Sequence, residues 1–207
     1  MLIVNNKASW GTADMKMKMN SKQSGFTLVE LIVVIIILAI LGAVALPKFI
    51  DVTERAQISA VKGAAGGLGA GVALYHAQWV ANGHTSATPD IDGFGGAGVT
   101  NTVDSNGNGW PIGTGYTAAT GAGTPNTTAA ECLNTWQNVF QSGGPPAATA
   151  AASGIDYVAA NSGTECQYTY YGGSATVPAI DFDDDGTSAA VRIDYDTADG
   201  SVVISGG

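Results

Sequence analysis

The longest hydrophobic stretch of the chain runs from Phe26 to Leu46, where only Thr27, Glu30 and Gly42 interrupt a series of 21 residues. As an α-helix it would be about 30 Å long, which is enough to cross the hydrocarbon core of a bilayer. Fifteen of its side chains are Leu, Ile, Val or Phe. At about −0.4 kcal/mol each they favour insertion by roughly 6 kcal/mol, against roughly +3 for one central carboxylate. The pattern predicts a membrane-spanning helix that tolerates Glu30.

A second pattern follows, in which apolar residues recur at alternating intervals of three and four. They are Ile58, Val61, Ala65, Leu68, Val72, Tyr75 and Trp79. This spacing is typical of an amphipathic helix that packs one face on the protein's own sheet. Several glycines interrupt it between positions 63 and 71, each costing about 1 kcal/mol relative to alanine. They either loosen this helix or allow another backbone to approach, and the helix should end near Asn82-Gly83.

The remaining chain has the pattern of a small α+β domain. Loops are expected from His84 to Pro125, and Thr128 to Glu131 forms a capping box for a short helix. That helix would carry an apolar face of Leu133, Trp136, Val139 and Phe140. Cys166, Tyr168 and Tyr170 alternate as in a strand. A terminal hairpin is predicted from 189–195 and 201–205, so the expected head is an antiparallel sheet laid on the second half of the long helix.

Charge separates the two ends of the chain. Lys16, Lys18 and Lys22 precede the apolar run directly, so the positive-inside rule keeps this end in the cytoplasm. The net charge of the whole chain is −9. Such an acidic chain is a poor nucleic-acid binder, since phosphate contacts need Lys and Arg.

The sequence contains no recognisable group of catalytic residues, so an enzyme is not predicted.

The sequence G-F-T-L-V-E from Gly25 to Glu30, followed by the apolar run, resembles the class III signal of type IV pilins and of type II secretion pseudopilins. The resemblance implies the type IV pilin fold. It also implies that a prepilin peptidase cleaves after Gly25 and methylates the amine of Phe26. Glu30 would then neutralise the amine of a neighbouring subunit. Short pieces further on, such as L-P-K-F-I-D-V, N-G-W-P and E-C-Q-Y, resemble minor pilins of the mannose-sensitive haemagglutinin (MSHA) pilus.

This resemblance divides the chain into a leader at 1–25, a transmembrane and filament-core helix at 26–47, and an amphipathic helix with the head at 48–207. The expected route is insertion into the bacterial inner membrane and then export in an extracellular pilus. The implied partners are other pilins, the prepilin peptidase, the platform protein, the assembly ATPase and a secretin. Met15, Met17 and Met19 are alternatives to Met1 as the start. The mature chain would carry 4 basic and 16 acidic residues, a net charge of 4 − 16 = −12.

Several alternative interpretations are compatible with the sequence. Glu30 is also compatible with a carboxylate that reaches the membrane interface, and Ala43 and Ala45 are compatible with a secretory signal cleaved after the helix. The alternatives to a pilus subunit are a type II secretion pseudopilin and an anchored adhesin that never polymerises. Replacement of Glu30 by alanine separates the anchored adhesin from the pilin-like functions.

The two cysteines, Cys132 and Cys166, both follow the membrane segment. This places them in an oxidising compartment, where a disulfide is the expected state and two free buried thiols are the alternative. The bond would close a loop of about 35 residues.

A candidate calcium loop lies near the end of the chain. Asp181, Asp183, Asp185 and Gly186 fit D-x-D-x-D-G, in which alternate carboxylates converge on one side. Arg192 stands where an EF-hand would have its bidentate Glu, so the alternatives are a calcium site of another kind and a solvated acidic turn. The stretch from Asp104 to Gly109 has the same outline with less charge. No other cofactor is predicted.

Overall fold

The computed structural model describes residues 25–91, 103–114, 128–141, 143–183 and 188–206. Helix α1 spans Leu28–Ala81, and the chain divides into two units between Leu46 and Pro47. Together their elements form an α+β fold consistent with that of type IV pilins, as the sequence predicts.

In the first unit, the described residues are almost entirely helix. Leu28–Leu46 is long and apolar enough to cross a membrane, by length and composition, and none of it is buried within the protein. The exposed fraction of its Leu, Ile and Val side chains runs from 40% at Ile32 to 73% at Leu28. This apolar surface therefore has to be covered by something other than its own chain.

In the second unit, α1 buries the predicted stripe. Val61, Leu68, Val72, Tyr75 and Trp79 are all buried. Ala64 is buried while Ala65 is only half-buried, so the buried face is shifted slightly from the prediction. The helix ends as expected: Gly83 has φ +76°, its N–H donates to Val80 O, and the N–H of His84 donates to Trp79 O. This pair of bonds is a Schellman motif, which needs a left-handed residue at the position of Gly83.

The sheet has five strands in sequence order: β1 Ala147–Ala148, β2 Tyr157–Ser162, β3 Glu165–Tyr170, β4 Arg192–Asp196 and β5 Val202–Ser205. The predicted β3 and terminal hairpin are confirmed. β2 was not predicted, and β1 pairs with it in parallel, so the sheet is not wholly antiparallel. The parallel pair arises because 149–156 loops back until the N–H groups of Asp156 and Tyr157 both reach Pro146 O.

Helix α2 spans Ala129–Val139 and begins with the predicted capping box between Thr128 and Glu131. Its apolar face is only partly as predicted. Trp136 and Val139 are buried, whereas Leu133 and Phe140 are half-buried at the edge of the core. The core of the second unit lies where α1, α2 and one face of the sheet meet.

Candidate processing and assembly site

The predicted cleavage position lies in a short non-helical segment. Gly25, Phe26 and Thr27 precede the first residue of α1, Leu28, and all three are exposed. Phe26 exposes 91% of its surface. A peptidase needs an accessible backbone that is not locked in helical hydrogen bonds, because the carbonyl to be attacked must reach the catalytic groups. The bond between Gly25 and Phe26 meets this requirement.

Glu30 is held at the start of the helix by Thr27. Its Oε2 accepts hydrogen bonds from the backbone N–H of Thr27 at 2.9 Å and from the Thr27 hydroxyl at 2.8 Å. The Thr27 Oγ1 in turn accepts from the N–H of Glu30 at 3.2 Å. These bonds form a capping box, with Thr27 as N-cap and Glu30 three residues later.

Sequence reasoning identified Glu30 but missed this partner. Thr27 could have been identified from the T-x-x-E spacing, which is the same spacing that predicted the capping box of α2 at Thr128 and Glu131. The consequence is geometric, because the box turns the Glu30 carboxylate back toward the amino end of the helix. A cleavage after Gly25 would create a positively charged amine there, within about one turn of this carboxylate.

The calcium candidate is only partly within the described residues. Asp181 and Asp183 are described, and Asp185 lies outside them. The backbone N–H of Asp181 donates to Glu54 Oε1 of α1 at 2.8 Å, so a fourth carboxylate lies beside this turn. Next to it, the Lys62 ammonium lies 5.0 Å from the centroid of the Phe182 ring. Over the ranges that the structure describes, no three His, Cys, Asp or Glu side chains are grouped to hold a metal.

The second acidic stretch has a structural role. Asp104, Ser105 and Asn106 are buried, and Asp104 Oδ1 accepts from the N–H of Asp90 at 3.0 Å. Asn106 Oδ1 accepts from the N–H groups of Asn108 and Trp110. These acceptors organise a tight turn, in which Gly109 takes φ +84°, a conformation that favours glycine.

Cys132 and Cys166 form a disulfide, with their Cα atoms 5.3 Å apart. The bond joins α2 to β3, and both residues are fully buried. The predicted pairing is confirmed, and no free cysteine remains.

An aromatic cluster that the sequence analysis did not identify lies near the end of α1. The His76 ring stacks on Trp110 with centroids 4.1 Å apart and on Trp79 at 5.8 Å. The Nδ1 of His76 is 3.2 Å from Gly109 O, so the ring fastens the 105–111 turn to the helix. Trp110 covers the backbone of Gly200 on its other side, where a Cβ would overlap the indole.

The capped apolar helix and the disulfide-bonded α+β head are both consistent with the type IV pilin fold. Residues 20–46 match the family model described as the prokaryotic N-terminal methylation motif.

Several curated relatives carry the same N-terminal region. A fimbrial protein of Neisseria meningitidis serogroup A is 49% identical over 72 residues, which are 33% of this chain and 42% of that protein. The type IV major pilin protein PilE1 of Neisseria gonorrhoeae is also 49% identical over 72 residues, 33% of this chain and 43% of the relative. A fimbrial protein of Moraxella nonliquefaciens is 39% identical over 72 residues, 34% and 47% of the two chains. The chain thus spans less than half the length of these relatives, and no solved structure matches it significantly.

Proposed function

We propose that this protein is a subunit of a type IV pilus, cleaved after Gly25, methylated at Phe26 and then assembled into an extracellular filament. The observation that carries the proposal is the exposed apolar helix Leu28–Leu46, which begins at a capped carboxylate directly after an accessible Gly-Phe bond. Lipid covers this surface before assembly, and the helices of neighbouring subunits cover it afterwards. The relatives named as fimbrial or major pilin proteins support the same function.

Glu30 is the proposed assembly residue. In apolar packing an unpaired carboxylate is heavily penalised, whereas one that meets an opposite charge is tolerated. Its turn toward the amino end of the helix favours pairing with the methylated amine of Phe26 on a neighbour. That pairing sets the axial register between subunits.

We further propose the more specific role of an MSHA-type minor pilin, on the strength of the short motifs quoted above. The leader at 1–25 stays on the cytoplasmic side until the prepilin peptidase removes it, and the head at 48–207 faces the periplasm. The platform protein, the assembly ATPase and the secretin are the proposed export partners. A pseudopilin would use the same signal and helix, so the filament made in the native host distinguishes the two.

The first experiment is mass measurement and N-terminal sequencing of the mature protein. The expected product starts at Phe26 with one added methyl group and intact disulfide. The second compares Glu30→Ala with Glu131→Ala, which removes the matching acid from the capping box of α2. Glu30→Ala should abolish filaments while the processed protein stays in the membrane, and Glu131→Ala should leave assembly intact. A native protein that still carries residues ahead of Phe26, or one displayed normally with Glu30→Ala, would contradict the proposal and favour an anchored adhesin.

Calcium binding at Asp181, Asp183 and Asp185 stays a prediction, because Asp185 lies outside the described residues. Two measurements test calcium binding: isothermal titration calorimetry with calcium, and thermal unfolding with and without calcium. The expected result is a rise in the unfolding midpoint that Asp183→Asn removes. An unchanged midpoint at millimolar calcium would identify a solvated acidic turn.

A further inference from the structure

Three of the four basic residues that follow Gly25 lie in one row on α1. Lys48, Arg55 and Lys62 are seven residues apart, so successive side chains drift by only about 20° around the helix. The row is about 21 Å long, and all three residues are exposed. The fourth basic residue, Arg192, is already paired with Asp194 at 2.9 Å.

The basic row has no acidic partner in its own chain, among the side chains that the structure describes. Arg192–Asp194 is the ion pair found there. Lys62 instead rests over the ring of Phe182. Three exposed cations in one row are notable in a mature chain with 16 acidic residues.

An acidic surface lies at one end of the sheet. Glu165 and Asp196 are directly opposite each other in the β3–β4 ladder, and like charges at such positions destabilise a sheet. Asp199 follows in the exposed turn between β4 and β5. No basic side chain pairs with these three carboxylates within the described part of the chain, so a cation from outside would relieve their repulsion.

The two surfaces lie near opposite ends of the head. The row ends at Lys62, beside Phe182. The acidic turn holds Gly200, which packs against Trp110, and Trp110 stacks on His76 of α1. Lys62, the member of the row nearest to this surface, and His76 are separated by 14 positions on α1, about 21 Å along its axis. The basic row and the acidic surface of one chain therefore do not reach each other.

We propose that the basic row Lys48–Arg55–Lys62 binds the acidic surface Glu165–Asp196–Asp199 of a second copy of this chain. This inference rests on the proposed function. The contact joins two different patches, so it is heterologous and continues from copy to copy as a filament requires. Copies that each carry a net charge of 4 − 16 = −12 repel one another. The complementary patches offset that repulsion locally and select one axial offset between neighbours.

Charge reversal on both sides tests the contact in cells that assemble the full chain. Arg55→Glu and Glu165→Lys should each lower the ratio of filament-borne to membrane-borne subunit by about tenfold, and the double variant should recover most of it. Glu165→Lys places a lysine opposite Asp196 in the same sheet, so the unfolding midpoint should stay the same or rise. Ala60→Glu is the control, since it adds an exposed acid about 140° around α1 from Arg55.

The outcomes separate this contact from the proposed function. If Glu30→Ala abolishes filaments while both reversals assemble normally, the contact is wrong and the pilus function stands. If Glu30→Ala assembles normally, the pilus function itself fails. If Arg55→Glu lowers the filament-borne ratio and the double variant recovers none of it, the row binds something other than the acidic surface, which also overturns the contact.

Discussion

The phenol of Tyr168 donates a 2.8 Å hydrogen bond to the backbone carbonyl of Cys132. Cys132 is also bonded through sulfur to Cys166, two residues before Tyr168 on β3. The same contact between α2 and the sheet is thus made twice, once covalently and once by a buried hydrogen bond.

Tyr168→Phe should lower the free energy of unfolding by about 1 kcal/mol, the net value of one intramolecular hydrogen bond. The loss stays small because Cys132 lies inside α2 and its carbonyl also belongs to the helical ladder. Chemical denaturation of the mature protein in detergent measures it. Tyr171→Phe is the control, since Tyr171 is half-buried without this bond, and it should change the free energy of unfolding by less than about 0.5 kcal/mol. Equal effects for the two would contradict the assignment.

Removal of the disulfide should cost much more. The double variant Cys132→Ala/Cys166→Ala removes a cross-link between residues 34 positions apart. The chain-entropy model then predicts that the free energy of unfolding falls by roughly 3.5–4 kcal/mol. Reduction of the wild-type protein by a thiol should produce a similar loss by the same denaturation assay. A variant as stable as the oxidised protein would show that the bond adds nothing to the fold.

Two glycines of α1 should respond in opposite directions to alanine. A Cβ on Gly71 would lie 2.8 Å from the backbone oxygen of Val139, while one on Gly63 would meet nothing within 4 Å. Gly71→Ala should therefore destabilise the head by about 1–3 kcal/mol, because α2 must move away. Gly63→Ala should stabilise it by up to about 1 kcal/mol through helix propensity. Thermal unfolding of the pair measures both, and destabilisation by Gly63→Ala would reveal a packing contact at that position.

Stability should fall in alkali because of buried tyrosines. Burial is the main cause that raises the pKa of Tyr75, Tyr157, Tyr168 and Tyr195 in the folded state. Below pH about 10 these groups are neutral in both states and contribute no pH dependence. Above it the unfolded tyrosines ionise while the folded ones do not. Each then lowers the free energy of unfolding by about 1.4 kcal/mol per pH unit.

Denaturation curves in steps between about pH 8 and pH 11 measure this slope, with tyrosinate absorbance as a second signal. Burial raises the pKa of Tyr170 as well, so Tyr168→Phe removes one of five such groups and should lower the slope by about a fifth. A stability that is constant across this range would show that the phenols ionise equally well in the folded protein.

Several elements could be predicted because their signals are local. The T-x-x-E box of α2 and the alternation of Cys166, Tyr168 and Tyr170 each depend on neighbouring residues alone. β2 could not be predicted, since Y-V-A-A-N-S has little alternation of large apolar and polar residues. It becomes a strand because Tyr157 pairs with Tyr170 across the Gly163 turn. The burial of Asn106 could not be predicted from the sequence either, because its side chain donates to Thr197 O, 91 positions away.

The sequence by itself determined the apolar helix and the capping box of α2, since each depends on composition or on spacing within one or two helical turns. With two cysteines in the chain only one pairing was possible, and the structure decided that the bond forms. Only the tertiary structure decided which glycines of α1 face α2, where His76 and Trp110 meet, and that Glu165 opposes Asp196. Those relationships join residues tens of positions apart, and their energies exist only after the chain has closed the loops between them.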